Sequence, residues 1–205
     1  MPGAAKDSQP ILIYGGSTAT GIYGIQYAKL SGLKVIATAS PHNFDYLKSL
    51  GADAVFDYKS PTVAADIRAY TDNKLKLAWD CTGWGAAVSA GALSTEGGKY
   101  ATIIPVKKKD LVSVSPNVDG PYPTIMYSIF GEPFSKWGSE TPAIPEEFEF
   151  AVKFVDITRD LLAEGKLKAP RQIVNQGGKG LEGVLKGLDE LRAWNVSGGK
   201  LVYTL

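Results

Sequence analysis

The run ILIYGGSTATGIYG at residues 11–24 constrains this chain more than any other feature. Four apolar residues read as a buried strand, Gly15-Gly16 end it, small residues follow, and a helical pattern opens near Gly21. A strand that turns this tightly into a helix aims the helix's free N–H groups outward, and small side chains let an anion reach the backbone. The run is not the G-x-G-x-x-G fingerprint, since Gly15, Ser17 and Gly21 give G-x-S-x-x-x-G, and no Gly-Lys-Ser/Thr follows to make a P-loop. Between two strands such a turn points to the diphosphate of a dinucleotide, and the bland alternative is a packing turn.

The context favours the first reading. Residues 34–39 (KVIATA), 54–57 (AVFD), 75–80 (LKLAWD) and 99–104 (KYATII) repeat the strand signature. Runs apolar on both faces are central strands of a parallel sheet. Between them lie helical stripes: Ile22, Ile25 and Ala28 before Gly32; Phe44, Leu47 and Leu50 before Gly51; Val63, Ile67 and Tyr70. Ser40-Pro41 and Ser60-Pro61 read as N-caps followed by a first-turn proline. The expected fold class is α/β, a Rossmann-like, doubly wound, mostly parallel six-stranded sheet with helices on both faces.

Beyond residue 105 the pattern changes. Residues 107–109 are three lysines and read as a solvated turn. Residues 115–145 hold six prolines together with Tyr122, Tyr127, Phe130, Phe134 and Trp137, a stretch too long for a plain connector and expected to be functional. A helix is expected from Pro145 to about Glu164 with Phe148, Val152 and Val155 on one face. A second, over about 180–194, carries Leu181, Val184, Leu185, Leu188 and Leu191, and the closing KLVYTL reads as a strand. The chain divides into a dinucleotide-binding part, 1–145, and a C-terminal part, 146–205.

Composition removes several function classes. Twenty-two Lys and Arg against 21 Asp and Glu give a net charge of +1, which offers nucleic acid or an anionic membrane no attraction. Cys81 and His42 are the only residues of their kinds, so neither a disulfide framework nor a Cys/His zinc site is expected. No apolar run reaches about 18 residues, and MPGAAKDSQP lacks the regions of a secretory signal, so a cytoplasmic location is expected.

The end of the second strand selects among nucleotides. It reads Thr38-Ala39-Ser40-Pro41-His42-Asn43, with no acid before Asp45. An acid there holds the ribose 2′-hydroxyl of NAD and repels a 2′-phosphate, whereas hydroxyl, imidazole and amide groups can donate to one. The expected cofactor is therefore NADPH. Tyr70 and Lys74 match a Tyr-x-x-x-Lys spacing, but they straddle a helix end and the match is taken as chance.

Taken together, ILIYGGSTATG, VIATASPHNFDYLKSLGADAVFDYKSP, LAWDCTG, GGKYATIIP, YSIFGEPF and VSGGKLVYTL resemble the medium-chain dehydrogenase/reductase superfamily. The nearest branch looks like the trans-acting enoyl reductases that assist fungal highly reducing polyketide synthases. The resemblance implies that Gly16, Ser17, Thr18, Ala19, Thr20 and Gly21 hold the NADPH diphosphate, and that Ser40, Asn43 and Tyr58 meet the 2′-phosphate. It implies that Cys81, Thr82, Ile103, Ile104, Phe130, Gly131 and Val196 line the rest of the cofactor, with Tyr127, Ser128 and Lys200 near the reacting atoms. The implied reaction is metal-free hydride transfer to the β-carbon of an enoyl thioester on a polyketide synthase carrier.

Members of that branch begin with a GroES-like domain, whereas here the first strand starts at residue 11. The resemblance thus implies a chain without that roof, whose last strand lacks its usual partner and is open to self-association or a partner chain. The competing expectation is a shortened non-redox member: an NADPH-binding or partner-docking module, or a pocket reused for chemistry such as cyclisation.

Overall fold

A computed structural model describes residues 8–205. The N-terminal segment read as no secretory signal lies, up to residue 7, outside the described residues.

Six strands form the main sheet: β1 (Pro10–Tyr14), β2 (Lys34–Ala39), β3 (Ala54–Asp57), β4 (Leu77–Asp80), β5 (Gly98–Thr102) and β6 (Val118–Pro123). Their order is β3-β2-β1-β4-β5-β6, and every pairing is parallel. This is the doubly wound architecture expected, with five strands where the apolar runs put them. The chain leaves β1 toward β2 on one side and returns to β4 on the other. The crevice at the carboxyl ends of β1 and β4 is therefore the topological switch point, where open α/β sheets bind ligands.

Side chains of neighbouring strand residues point to opposite faces, which splits the core in two. Leu12 and Ile36 join Val63, Ile67, Leu75, Leu93, Tyr100 and Leu111 on one face. That face is covered by α3 (Val63–Tyr70), α4 (Ala86–Ala92) and α5 (Lys108–Val112). Ile13, Val35 and Ala37 join Ile22, Ile25, Leu47 and Cys81 on the other, under α1 (Ala19–Leu30) and α2 (Phe44–Ser49). Leu12 and Ile13 are fully buried, and burying each such side chain stabilises the fold by about 1.5–3 kcal/mol.

Four local expectations need correction. Lys108 and Lys109 open α5 rather than forming a turn, because Leu111 turns inward and brings one helical turn with it. Pro61 does not start α3, which begins at Val63 after Thr62; Ser60 instead accepts from the Thr62 amide at 3.4 Å. Ser40 does precede a 3₁₀ turn, Pro41–Asn43, but its hydroxyl makes no capping bond. The stretch 115–145 is less irregular than its prolines imply. It contributes β6, a 3₁₀ turn at Met126–Phe130, and a hairpin of β7 (Phe134–Lys136) and β8 (Ser139–Thr141).

The C-terminal part holds α6 (Pro145–Ala163), β9 (Arg171–Val174), α7 (Gly180–Arg192) and β10 (Gly199–Val202). The terminal strand does form, and it pairs in parallel with β9, apart from the main sheet. The apolar faces of both long helices turn to solvent. Phe148, Val152 and Val155 are exposed, and so are Leu185, Leu188, Leu191 and Leu181, the last at 73%. In α7 the buried side is Gly183 and Gly187, where an added Cβ would collide with the Gly178 carbonyl and with the Tyr203 hydroxyl respectively. The stripe of leucines was legible; the side it faces was not.

Polar contacts from α1 and α2 help tie this part to the rest of the chain. Gln26, buried within α1, donates to the Lys168 carbonyl at 2.9 Å and accepts from the Lys168 amide at 2.8 Å. Tyr27 shares a hydrogen with Thr158 at 2.7 Å, and the Tyr46 hydroxyl accepts from the Arg171 amide at 3.2 Å.

Candidate functional site

The glycine turn lies at the carboxyl end of β1. Thr18 caps α1: its Oγ1 accepts from the Gly21 amide at 3.0 Å and donates to the Gly15 carbonyl at 2.8 Å. Gly15 has φ +77°, which favours glycine. A Cβ on Gly21 would collide with the Gly15 carbonyl and lie 2.8 Å from Gly16 Cα, so only glycine lets the helix start this close to the turn. The amides of Ala19 and Thr20 lie in the first turn, which no intrahelical carbonyl can reach. No acid occupies that turn. The geometry suits an anion.

The second wall is the loop after β4, organised by a residue the sequence reading passed over. Asp80 is completely buried. Its Oδ1 accepts from the Thr82 amide and hydroxyl, both at 2.8 Å, and from the Gly83 amide at 3.0 Å. Its Oδ2 accepts from the Gly85 amide at 2.7 Å and the Tyr100 hydroxyl at 2.8 Å. Five donors on one carboxylate fold residues 82–85 into a fixed bend. An acid closing an otherwise apolar strand, LAWD, was the signal that could have found it.

This bend reaches both neighbouring strands. A Cβ on Gly15 would collide with the Thr82 methyl, and one on Gly83 would lie 2.9 Å from Ile104 Cβ. The structure thus gathers Gly15–Gly21, Thr82 and Ile104 along one edge, with Ile103 donating to the Asp80 carbonyl at 3.2 Å. Cys81 differs: its side chain belongs to the core beside Ile13 and Ile22. Burial, with the Asp80 charge adding, pushes its thiol up to about 12. The folded value is raised, so this contribution to stability is complete below the ordinary value of 9.0 and is lost as pH climbs toward 12. Burial and Asp80 raise the Tyr14 and Tyr100 hydroxyls as well. Urea midpoints should fall from pH 9 upward, less steeply in Cys81→Ala, and native protein at pH 8 should resist a thiol reagent that labels the unfolded chain.

At the end of β2, Ser40 is half-buried and free of capping duty. Asn43 is buried, and its amide donates to Ser197 Oγ at 2.8 Å, so it holds the C-terminal segment. His42, exposed, reaches the same hydroxyl at 3.1 Å. Tyr58, after β3, is exposed, with Lys59 Nζ 5.8 Å from its ring centroid, a cation the sequence reading did not single out.

Tyr127, Ser128 and Lys200 are not bonded to one another among the described residues. Ser128 is buried and donates to the Ile125 carbonyl at 2.9 Å. Tyr127 accepts from Lys136 Nζ at 3.3 Å and packs on Phe134. Lys200 is exposed on β10, in register with Gln172. Gly131, at φ +70°, packs on Phe148 of α6, while Phe130 is exposed and Val196 half-buried.

Comparison with known proteins adds four findings. The family model for "Zinc-binding dehydrogenase" matches residues 19–142. A trans-enoyl reductase of Alternaria alternata, ACTTS2, is 42% identical over 207 residues, covering 100% of this chain and 57% of that protein. A trans-enoyl reductase of Gibberella zeae, FSL5, is 40% identical over 205 residues, covering 98% of this chain and 55% of that protein. The chain thus spans little more than half the length of these relatives. Among solved structures, a mycobacterial protein complexed with NADPH superimposes with a TM-score of 0.68 at 19% identity, over 98% of this chain and 58% of that one. That likeness concerns the fold.

The family's description names zinc, and the donors here do not fit it. Cys81 is sealed in the core, His42 lies at the surface against Ser197, and among the described residues no group of three His, Cys, Asp or Glu could hold a metal ion. No helix of the described residues is long and apolar enough to cross a membrane.

Proposed function

Because the chain belongs to the zinc-binding dehydrogenase family, we propose that it binds NADPH at the carboxyl edge of its sheet and forms the nucleotide half of an enoyl reductase. The observation that carries this is the Gly15–Gly21 turn, closed by Thr18 and opened at the switch point with no acid in the first turn of α1. Gly16, Ser17, Thr18, Ala19, Thr20 and Gly21 would hold the diphosphate. Ser40, Tyr58 and Lys59 would meet the 2′-phosphate, with Asn43 positioning Ser197 beside them. Backbone at Cys81, together with Thr82, Ile103 and Ile104, would border the nicotinamide side, and Phe130, Gly131 and Val196 the outer rim. NADPH, when bound, supplies a hydride for the β-carbon of an enoyl thioester, the substrate class suggested by the relatives named trans-enoyl reductases. The protein's part is to orient the cofactor and exclude water. A carrier-bound polyketide chain fits that chemistry as partner, in a cytoplasmic setting.

A second reading is a cofactor-binding module without redox work of its own. The dispersal of Tyr127, Ser128 and Lys200 favours it: one hydroxyl is committed to backbone, another to Lys136, and the lysine sits on a separate sheet. NADPH consumption with a crotonyl thioester separates the two readings, since turnover refutes the module and its absence beside tight NADPH binding refutes the reductase.

Titration tests the shared premise. NADPH at 100 times its dissociation constant should stabilise the protein by about 2.7 kcal/mol, and NADH at the same concentration far less. Equal melting shifts would overturn the assignment of Ser40, Tyr58 and Lys59.

A further inference from the structure

Helix α7 rests on its two glycines. Gly183 and Gly187 lie against Tyr203, whose hydroxyl donates to the Gln176 carbonyl at 3.0 Å. That side admits nothing larger than glycine, so the helix cannot roll to turn its leucines inward. Leu181, Leu185, Leu188 and Leu191 stand in water instead, between 41% and 73% exposed.

Their spacing gives this face a definite shape. Leu181, Val184, Leu188 and Leu191 recur at i, i+3, i+7 and i+10, the spacing along which two helices pack knobs into holes. Leu185 widens the stripe on one flank. The four leucines expose on the order of 400 Å², the size at which an apolar patch on a lone protein is often functional. With a polar rim of ordinary proportion, such a patch approaches the ~800 Å² that each partner of a stable complex buries.

Charge selects the occupant. The amino half of the helix carries Lys179, Glu182 and Lys186, two cations against one anion, and the carboxyl half carries Asp189, Glu190 and Arg192, two anions against one cation. An antiparallel copy sets each half against its opposite and opposes the two helix dipoles, whereas a parallel copy sets like halves together. The face as a whole is neutral, so it offers a strongly acidic or basic partner no attraction. It complements itself, as an interface built on a two-fold axis must.

We propose that two copies of this chain pair through α7, antiparallel, about a two-fold axis near Leu185, the leucine closest to the midpoint of the stripe. This goes beyond the dinucleotide reading and does not depend on it. Trp194, next after the C-cap of α7, meets Trp84 on the bend fixed by Asp80, with ring centroids 5.1 Å apart. The paired face therefore runs up to the mouth of the switch-point crevice.

The test is sedimentation of the full chain across concentration. Wild type should be a dimer at about 100 µM and dissociate toward about 1 µM. Leu185→Lys should stay monomeric throughout, because two ammonium groups then meet across the axis, while Phe150→Ser, on the exposed side of α6, should dimerise like wild type. At the low concentration Leu185→Lys should melt with wild type, which shows that it folds; at the high concentration wild type alone should melt higher. Cys81 is buried, so an engineered thiol on α7 is the accessible one. A short bismaleimide should join Leu185→Cys into a covalent dimer and leave Leu181→Cys single, since antiparallel copies of residue 181 stand about 15 Å apart along the axis. A wild type that is monomeric at the high concentration would overturn the proposal and leave α7 to another occupant, such as the part of the relatives that this chain does not span. A dimer that Leu185→Lys leaves intact, or equal cross-linking at residues 181 and 185, would overturn it as well.

Discussion

Asp80→Asn should destabilise the protein by about 3 kcal/mol and lower its melting temperature by roughly 6–12 °C. The carboxylate is fully buried and accepts five hydrogen bonds while donating none. An asparagine must put an NH₂ where one oxygen stood. On the Oδ2 side it faces the Gly85 amide and the Tyr100 hydroxyl; on the Oδ1 side it faces two amides and the Thr82 hydroxyl. A hydroxyl can rotate and accept, whereas a backbone N–H cannot. At least one buried donor is then left unpaired, at about 1–3 kcal/mol, and the remaining bonds lose their charge. Tyr100→Phe removes a single donor and should cost only about 1 kcal/mol. Circular-dichroism melts of both variants check this ordering. A shift in Asp80→Asn no larger than that of Tyr100→Phe would mean that the bend at residues 82–85 does not depend on the carboxylate.

The second large effect falls on ligand affinity. Gly21→Ala should weaken NADPH binding by about 10- to 100-fold, which is about 1.4–2.8 kcal/mol. The new methyl would collide with the Gly15 carbonyl and crowd Gly16 Cα, both of them backbone. No rotamer change relieves a backbone collision, so the turn and the helix start must separate. Overpacking of this kind also costs about 1–3 kcal/mol of stability, so affinity is to be measured below the melting transition. Gly91→Ala, in α4, is the matched control: its Cβ would lie 3.0 Å from the Ala64 methyl, away from the crevice. It should alter stability without altering affinity. Unchanged binding by Gly21→Ala would remove the diphosphate from the glycine turn.

Much of the site follows a similar logic of near and far. The turn at Gly15–Gly21 was legible because every part of it is local: a strand, two glycines and a helix cap within a dozen residues. Ser40 stands at the end of β2, where the strand pattern put it, whereas Tyr58 was singled out by the family resemblance alone. Asp80 was passed over because its partners come from residues 82–85 and from Tyr100, a whole strand away, and only the pairing of β4 with β5 brings that hydroxyl onto it. The contact between Trp84 and Trp194 was invisible for the same reason, since the two lie over a hundred residues apart in the chain.

The sequence by itself determined the parallel sheet, its two core layers and the glycine turn. Apolar runs, helical stripes and small residues act over a few positions, and their periodicity states which side chains must leave water. Tertiary structure alone decided which faces are covered. Val118–Pro123 became the sixth strand by pairing with the free edge of β5, despite its prolines and glycine. The leucines of α7 point outward because Gly183 and Gly187 admit Tyr203 on the other side. A stripe records that a face is apolar, and only the packing of distant segments records what lies against it.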